Sequence, residues 1–142
     1  MPTRRAQIHW EGGLKAGKGR FEGSSGAFAA PYSAGTRFAE EPGTNPEELL
    51  AAAHGACFSM ALAAALEQEG VVPERIDTDA ACTIELQGEG YRITRVELQV
   101  RVRAPGLDVG TLERQAAITK EACPVSRALL GNLEIAVQAQ LA

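Results

Sequence analysis

Cysteine is scarce in this sequence, and so are aromatic residues and long runs of positive charge. Its 142 residues include three cysteines, an odd number that is too low for the disulfide framework of a small secreted scaffold. The net charge is −4 and no long basic run occurs, which argues against nucleic acid and anionic membranes as partners. Residues 1–7 are polar and basic rather than apolar, so they do not form a secretory signal core. We therefore expect a cytoplasmic protein whose thiols are reduced at rest.

One long apolar run is present, from Leu49 to Leu66, and its only non-apolar residues are His54, Gly55 and Ser59. Its length reaches the lower limit for a membrane-spanning helix, which is roughly 17–25 residues. Acidic residues flank the run on both sides and no basic cluster marks a cytoplasmic end. Because a helix that is apolar all round in a soluble chain is buried all round, we expect a core helix rather than a membrane span.

The start and the end of this helix are marked in the sequence. Asn45 can cap the helix and Pro46 suits its first position, while Glu48 stands where it can close a capping box. The helix should end near Glu69, because Gly70 follows.

The rest of the chain is predicted to alternate between strands and shorter helices, which gives an α+β fold with antiparallel hairpins. Alternation of apolar and polar residues predicts a long hairpin with one wet face, and the inward residues of its second strand are Val96, Leu98, Val100 and Val102. The other predicted elements are strands near residues 6–11, 17–22 and 25–29, a loop over 32–44, a first hairpin strand over 76–87, helices over 110–122 and 124–130, and a final strand over 133–141.

Two of the three cysteines stand where a thiol can do chemistry. Cys57, inside the apolar helix, is either small apolar packing or a nucleophile that needs a nearby cation to ionise. No arginine or lysine occurs between Thr44 and Glu74, so that cation must come from elsewhere, and Arg37 and Arg127 are the candidates. The third cysteine, Cys82, lies on the inward face of a predicted strand and is interpreted as a packing residue.

Cys123 precedes Pro124 at a break between two predicted helices. The dipole of the second helix favours a thiolate there, although a cysteine merely tolerated at a turn is the alternative. His54 shares a helix face with Cys57, so a Cys–His nucleophile pair of the hydrolase kind is a further hypothesis. Two histidines and three scattered cysteines without a Cys-x-x-Cys motif do not favour a zinc site.

The position of Glu47 points to a second copy of the chain. Glu47 precedes Cys57 by ten residues, which is roughly 15 Å along a helix at about 1.5 Å per residue. A straight helix cannot bring this carboxylate to its own thiol. If Glu47 serves the site of Cys57, either the chain bends or a second copy of the helix supplies the carboxylate, as two antiparallel copies crossing at a two-fold axis could.

Several segments resemble one known family, the OsmC/Ohr proteins (osmotically inducible protein C and organic hydroperoxide resistance proteins). Residues Thr44 to Leu62, TNPEELLAAAHGACFSMAL, are similar to the central helix of that family, and Ala122 to Ser126, ACPVS, to its second cysteine motif. Residues 9–12, 36–38 and 76–78 are similar to the OsmC branch rather than the Ohr branch. The resemblance covers nearly the whole chain and implies a single OsmC-like domain over residues 1–142. It also implies an intertwined homodimer, with antiparallel sheets wrapped around long, buried central helices.

The resemblance implies a thiol-dependent peroxidase that reduces organic hydroperoxides. Cys57 then corresponds to the peroxidatic cysteine, Cys123 to the resolving cysteine, Arg37 to the arginine that activates Cys57, and Glu47 to the carboxylate that holds that arginine. No metal, flavin or haem is expected, and the resemblance suggests dihydrolipoamide on a lipoylated protein as the external dithiol.

Two other functions are compatible with the same residues, namely a non-enzymatic thiol redox sensor and a structural stress-response dimer with inert cysteines. The sequence contains no basic element of the kind that binds DNA, so it does not favour the sensor. The apolar residues Phe58, Met60 and Phe38 are expected to favour alkyl hydroperoxides over hydrogen peroxide.

Overall fold

The structure is a computed structural model that describes all 142 residues, and it contains six strands and four helices, as expected for an α+β fold. By contacts the chain divides into two compact units, Met1–Leu49 and Leu50–Ala142. In chain order the elements are β1 (Ala6–Glu11), β2 (Lys18–Gly23), β3 (Ala29–Tyr32), α1 (Ala34–Phe38), α2 (Pro46–Gln68), β4 (Arg75–Gln87), β5 (Gly90–Arg103), α3 (Val109–Ala122), α4 (Pro124–Leu129) and β6 (Glu134–Leu141).

The first unit contains a three-stranded antiparallel sheet in the order β1-β2-β3. Aromatic rings pack across it, with the Tyr32 centroid 5.4 Å from that of Trp10 and 5.5 Å from that of Phe21. The first two strands lie within one residue of their predicted bounds, but the third, predicted at 25–29, is formed by Ala29–Tyr32. Gly26 has a φ of +76°, a conformation that suits glycine in a turn, so the preceding residues belong to the turn.

Helix α1 lies where a loop was predicted, so the prediction of a loop over 32–44 is wrong for Ala34–Phe38. Ser33 and Thr36 form a capping box, in which the Thr36 N–H donates to Ser33 Oγ and the Ser33 N–H donates to Thr36 Oγ1. This helix has five residues, too few to show a helical period in the sequence.

Helix α2 begins at Pro46 as predicted and ends one residue before the predicted limit. The Glu48 N–H donates to Asn45 Oδ1 at 2.9 Å, which confirms Asn45 as the cap. The Glu48 carboxylate accepts a hydrogen bond from Thr44 Oγ1 instead of closing a capping box, so that detail of the prediction is wrong. Gly70 has a φ of +81°, and its left-handed conformation ends the helix.

In the single chain α2 is buried on one face only, so the expectation that it is buried all round would need a partner surface on the other face. Phe58, Leu62 and Leu66 are fully buried on one face, but Met60 is 75% exposed. The exposed residues of the other face recur at helical spacing, and we call this set the apolar stripe: Ala52, Ala53, Ala56, Met60 and Ala64. By length and composition α2 could cross a membrane, as the core helices of soluble proteins also can, and 33% of its most apolar stretch is buried.

The second unit contains a sheet in the order β4-β5-β6. The predicted hairpin β4–β5 is confirmed, and the inward residues of β5 from Val96 to Val102 are at most 1% exposed. Strand β6 pairs parallel to β5, with Glu134 opposite Arg95, which the sequence did not predict. Helices α3 and α4 lie between β5 and β6 in the chain and provide the crossover that a parallel pair needs.

The core of the second unit is formed by residues of α2, β5 and α3, and Cys123 is part of it. Leu62 of α2, Leu98 of β5 and Leu112 of α3 are each fully buried. Helix α2 and the junction between α3 and α4 are therefore held against one apolar core.

Candidate active site

The structure brings Cys57 and Cys123 together although they are 66 residues apart in the chain. Their Sγ atoms lie 3.2 Å apart, within hydrogen-bond distance, and neither is in a disulfide. An S–S bond is about 2.05 Å long, so a small approach would close it. Cys57 is partly exposed while Cys123 is fully buried, so of the two Cys57 is the thiol that a dissolved reagent can reach.

Cys123 is held at the junction of two helices by its own backbone. Its N–H donates to Thr119 O at the end of α3, and its carbonyl accepts from the Arg127 N–H as the first helical hydrogen bond of α4. Pro124 occupies the first position of α4, which has no hydrogen-bonding need for an N–H, so the sequence Cys-Pro places the sulfur at a helix start.

The surroundings of Cys123 favour its thiolate. Burial acts to raise its pKa, but hydrogen bonds from the Ser126 N–H, the Cys57 thiol, the Ser126 hydroxyl and the Val125 N–H together lower the pKa below the ordinary value. The dipole argument made from the sequence therefore agrees with the structure at this residue.

Cys57 has the opposite tendency within its own unit. Burial raises its pKa, and the neighbouring Cys123 raises it further, while a hydrogen bond from the Val125 N–H lowers it in part. No cation contributes to this balance, so ionisation of Cys57 needs a positive charge that these neighbours do not supply.

Arg37 and Glu47 form an ion pair within the first unit. Arg37 Nη2 donates to Glu47 Oε1 at 2.7 Å, and Arg37 Nε lies 3.1 and 3.2 Å from the two carboxylate oxygens. The Glu47 side chain is 7% exposed and that of Arg37 is 34% exposed, so the carboxylate is buried and the guanidinium keeps an accessible edge. This geometry agrees with the predicted role of Glu47 in holding Arg37.

An apolar pocket of about 180 Å³ opens beside Arg37 in the first unit. Its walls include the rings of Trp10, Tyr32 and Phe38. Sequence reasoning missed Trp10 because this ring is far from Arg37 in the chain. Phe58, predicted as an apolar neighbour of the site, is fully buried in the core of the second unit.

His54 hydrogen-bonds to Ser126 of α4 rather than to Cys57. His54 Nε2 lies 2.7 Å from Ser126 Oγ, and both residues are fully buried. The hypothesis of a hydrolase-like Cys–His pair is therefore wrong. Burial also lowers the pKa of His54, so the ring is neutral.

Comparison with known proteins assigns the chain to a family. Residues 39–138 match the family model described as OsmC-like protein. The chain belongs to the OsmC family. The family suggested by the helix and Cys-Pro motifs is thereby confirmed.

The relatives of this OsmC-family chain include both branches. It is 42% identical over 136 residues to the Peroxiredoxin OsmC of Escherichia coli, covering 95% of each chain. It is 32% identical over 94 residues to the organic hydroperoxide resistance protein of Xanthomonas axonopodis pv. citri, which covers 66% of this chain and 64% of the relative. A crystal structure described as an organic hydroperoxide resistance protein OsmC from Legionella pneumophila has a TM-score of 0.82 at 25% identity, covering 99% of this chain and 98% of the other.

The four predicted site residues of this OsmC-family chain occur as two pairs, Cys57 with Cys123 and Arg37 with Glu47. The second pair lies within Met1–Leu49 and the first within Leu50–Ala142. Cys82 packs against the core, as predicted, and no cluster of three or more metal-ligating side chains occurs.

Proposed function

We propose that this protein is a thiol-dependent peroxidase that reduces organic hydroperoxides to alcohols. The observation that carries this proposal is the approach of Cys57 and Cys123 to 3.2 Å, with Cys57 partly exposed and Cys123 buried. The names of the relatives, peroxiredoxin and organic hydroperoxide resistance protein, support it.

In the first step the Cys57 thiolate attacks the terminal oxygen of the hydroperoxide. The O–O bond breaks, the alkoxide takes up a proton and leaves as the alcohol, and Cys57 becomes a sulfenic acid. Only the thiolate is nucleophilic enough for this attack, so Arg37 is proposed to supply the positive charge that lowers the pKa of Cys57. The buried Glu47 carboxylate fixes the orientation of that guanidinium.

In the second step the Cys123 thiolate attacks the Cys57 sulfur. The S–O bond of the sulfenic acid breaks, a disulfide forms, and the hydroxide takes up a proton and leaves as water. Because Cys123 is buried, the bulk solvent and the hydroperoxide do not compete for it. An external dithiol then reduces the disulfide by exchange, and dihydrolipoamide on a lipoylated protein is our proposed donor.

The apolar pocket beside Arg37 is the proposed place for the organic group of the hydroperoxide. Its aromatic walls offer apolar contact to an alkyl or aryl group while the exposed edge of Arg37 faces the polar end. Hydrogen peroxide has no group to fill this pocket, so alkyl hydroperoxides are the expected substrates.

We further propose that the protein works as a homodimer in the cytoplasm. The apolar stripe of α2 is exposed in the single chain, and a second copy would remove it from water.

The test is mass spectrometry after one equivalent of cumene hydroperoxide, followed by turnover with excess hydroperoxide and dithiol. We expect a Cys57–Cys123 disulfide in the unmodified protein, trapped sulfenic acid at Cys57 in Cys123→Ser, and no turnover in Cys57→Ser. Cys82→Ser is the matched control and should keep full activity.

Two outcomes would contradict the proposal. An unoxidised Cys57 would favour a structural dimer with inert cysteines. Oxidation that stops after one equivalent, despite excess dithiol, would favour a redox sensor.

A further inference from the structure

His54 and Ser126 form a buried polar pair, and each is close in the chain to one of the two cysteines. His54 lies on α2, one helical turn before Cys57, and Ser126 lies on α4, three residues after Cys123. Both side chains are fully inaccessible to solvent, and His54 Nε2 is 2.7 Å from Ser126 Oγ. Burying two polar groups is costly unless they are hydrogen-bonded, so an apolar pair would pack here at lower cost.

The direction of this hydrogen bond follows from the other ring nitrogen. Because burial lowers the pKa of His54, the neutral ring carries one proton, on either Nδ1 or Nε2. Nδ1 is buried and has no hydrogen-bond partner. A buried N–H without an acceptor is rarer in proteins than a buried acceptor without a donor, so we place the proton on Nε2. His54 Nε2–H then donates to Ser126 Oγ.

This direction determines where the proton of Ser126 goes. A hydroxyl that accepts from His54 is free to donate its own proton. Cys123 is the N-cap of α4 and Ser126 is its third residue, the two positions whose side chains come together in a capping box, and the Ser126 hydroxyl acts to lower the pKa of Cys123. The three groups form a chain from His54 through Ser126 to Cys123, in which each hydrogen bond polarises the next. We propose that His54 is a positioning residue for Cys123, which directs the Ser126 hydroxyl proton onto the Cys123 sulfur and so prepares that sulfur to attack. This inference rests on the proposed peroxidase function and concerns its second step alone.

The step that His54 assists is the formation of the disulfide. The Cys123 thiolate donates an electron pair to the Cys57 sulfur of the sulfenic acid, the S–S bond forms, and the S–O bond breaks to release hydroxide, which becomes water on protonation. Losing the hydrogen bond from Ser126 would leave less of Cys123 as thiolate at neutral pH.

Other ionisable groups near Cys123 are the same in the two proteins of each comparison proposed below. Cys57 of α2 faces the sulfur directly, and Cys82 of β4 packs against the same core. Lys120 and Arg127 are the basic residues in the last turns of α3 and α4. The β5 residues that share the core with Cys123 are valines and a leucine.

The experiment follows single-turnover disulfide formation after one equivalent of cumene hydroperoxide across a range of pH. In His54→Leu the midpoint of the pH profile should rise by about one unit, since one hydrogen bond to the thiolate is weakened. At neutral pH the loss of thiolate is partly offset by a more nucleophilic sulfur, so resolution should slow about threefold. Above both midpoints the thiolate fractions are equal, so His54→Leu should be about threefold faster than the unmodified protein, which a merely distorted site would not produce.

Conservative variants separate this role from a structural one. His54→Gln places an amide N–H where Nε2 lies and should restore the midpoint. In His54→Asn the shorter side chain reaches only toward the position of Nδ1, so this variant should behave like His54→Leu. If the leucine variant does not fold, His54→Asn tests the positioning role in its place. His9→Gln changes the other, exposed histidine and should leave the profile unchanged.

A titration without peroxide keeps this inference separate from the proposed function. In a protein that carries both Cys57→Ser and Cys82→Ser, so that Cys123 is its one thiol, the ultraviolet absorbance of the thiolate should show the same rise in midpoint when His54→Leu is added. Absence of sulfenic acid at Cys57 in Cys123→Ser would overturn the peroxidase, whereas a disulfide that forms with an unshifted midpoint in His54→Leu would overturn the role of His54.

Discussion

At the scale of single residues, the more exposed of the two thiols is not the one with the lowered pKa. Cys57 is the partly exposed thiol, but its neighbours raise its pKa. Cys123 is buried, but its neighbours lower its pKa. A buried thiol whose surroundings lower its pKa, placed beside an accessible thiol, suits resolution better than attack on a dissolved substrate. Attack by Cys57 therefore depends on a charge from outside its immediate surroundings, and Arg37, with an accessible edge and a fixed orientation, is the proposed source.

The first residue-scale prediction concerns Arg37→Met. A hydrogen bond to a charged group contributes about 1.5–3 kcal/mol, so the second-order rate of sulfenic acid formation should fall by about 10- to 100-fold. The pKa of Cys57 should rise because its thiolate loses a cation. The defect should therefore be greatest at low pH and shrink as the pH rises through that pKa. Stopped-flow kinetics across pH would measure both effects.

Arg127→Met is the matched control for this measurement. Arg127 lies in α4 close to Cys123 in the chain and was the other candidate cation. We expect its substitution to leave the rate of sulfenic acid formation unchanged. The reverse result, with Arg127 sensitive and Arg37 neutral, would transfer the role to Arg127.

At the scale of elements, Asn45 connects the start of α2 to α1. Its Oδ1 accepts from the Glu48 N–H at 2.9 Å, and its Nδ2 donates to Thr36 O at 2.9 Å. Thr36 is adjacent to Arg37 in α1, so one side chain both caps the long helix and holds the segment that carries the arginine.

Asn45→Ala should therefore lower stability and activity together. Losing the cap and the second hydrogen bond should reduce the free energy of unfolding by about 1–2 kcal/mol, measured by urea denaturation. Asn45→Asp keeps the capping oxygen and should lose less stability.

Asp108→Ala removes the cap of α3, where Asp108 Oδ1 accepts from the Thr111 N–H, and is the control. It should reduce stability by a similar amount without slowing peroxide attack, and equal kinetic effects of the two alanine variants would contradict this role of Asn45.

The elements also show what sequence patterns can and cannot predict. Helix α2 and the β4–β5 hairpin were predictable because each is long enough to show a pattern of apolar residues. Asn45 and Pro46 also mark the start of the helix, and Gly70 marks its end. Helix α1 was missed because its capping box depends on Ser33 and Thr36 alone. The parallel pairing of β6 is a choice of partner, which local patterns do not encode.

The same distinction applies to the site. The predicted role of each cysteine came from its local setting and from resemblance to a family, and their approach to 3.2 Å is tertiary. Ser126 belongs to the Cys-Pro motif, but no local pattern connects it to His54, which is 72 residues away. Long-range pairs of this kind become visible only when the fold is known.

At the scale of the whole molecule, the apolar stripe of α2 is the feature that the single chain leaves unexplained. Its residues, of which Met60 is 75% exposed, follow one another at helical spacing along the helix that carries Cys57. A contiguous apolar surface of this kind marks an interaction site in a soluble protein. A second copy of the same helix is the proposed partner, and a two-fold axis would give two equivalent sites.

A mixing experiment tests whether each site is built from two chains. If Cys57 and Arg37 of one site come from different subunits, a mixed dimer of Cys57→Ser and Arg37→Met contains one site with both native residues. Random re-pairing of equal amounts makes half of the dimers mixed, so the mixture should recover about one quarter of the unmodified activity. If both residues come from one subunit, no site is intact, and the activity of the mixture should stay at the average of the two separate variants. Adding Met60→Glu to both chains should prevent pairing, seen as a monomer by analytical ultracentrifugation, and abolish the recovery. Val72→Glu, at a similarly exposed apolar residue outside the stripe, should preserve both the dimer and the recovered activity.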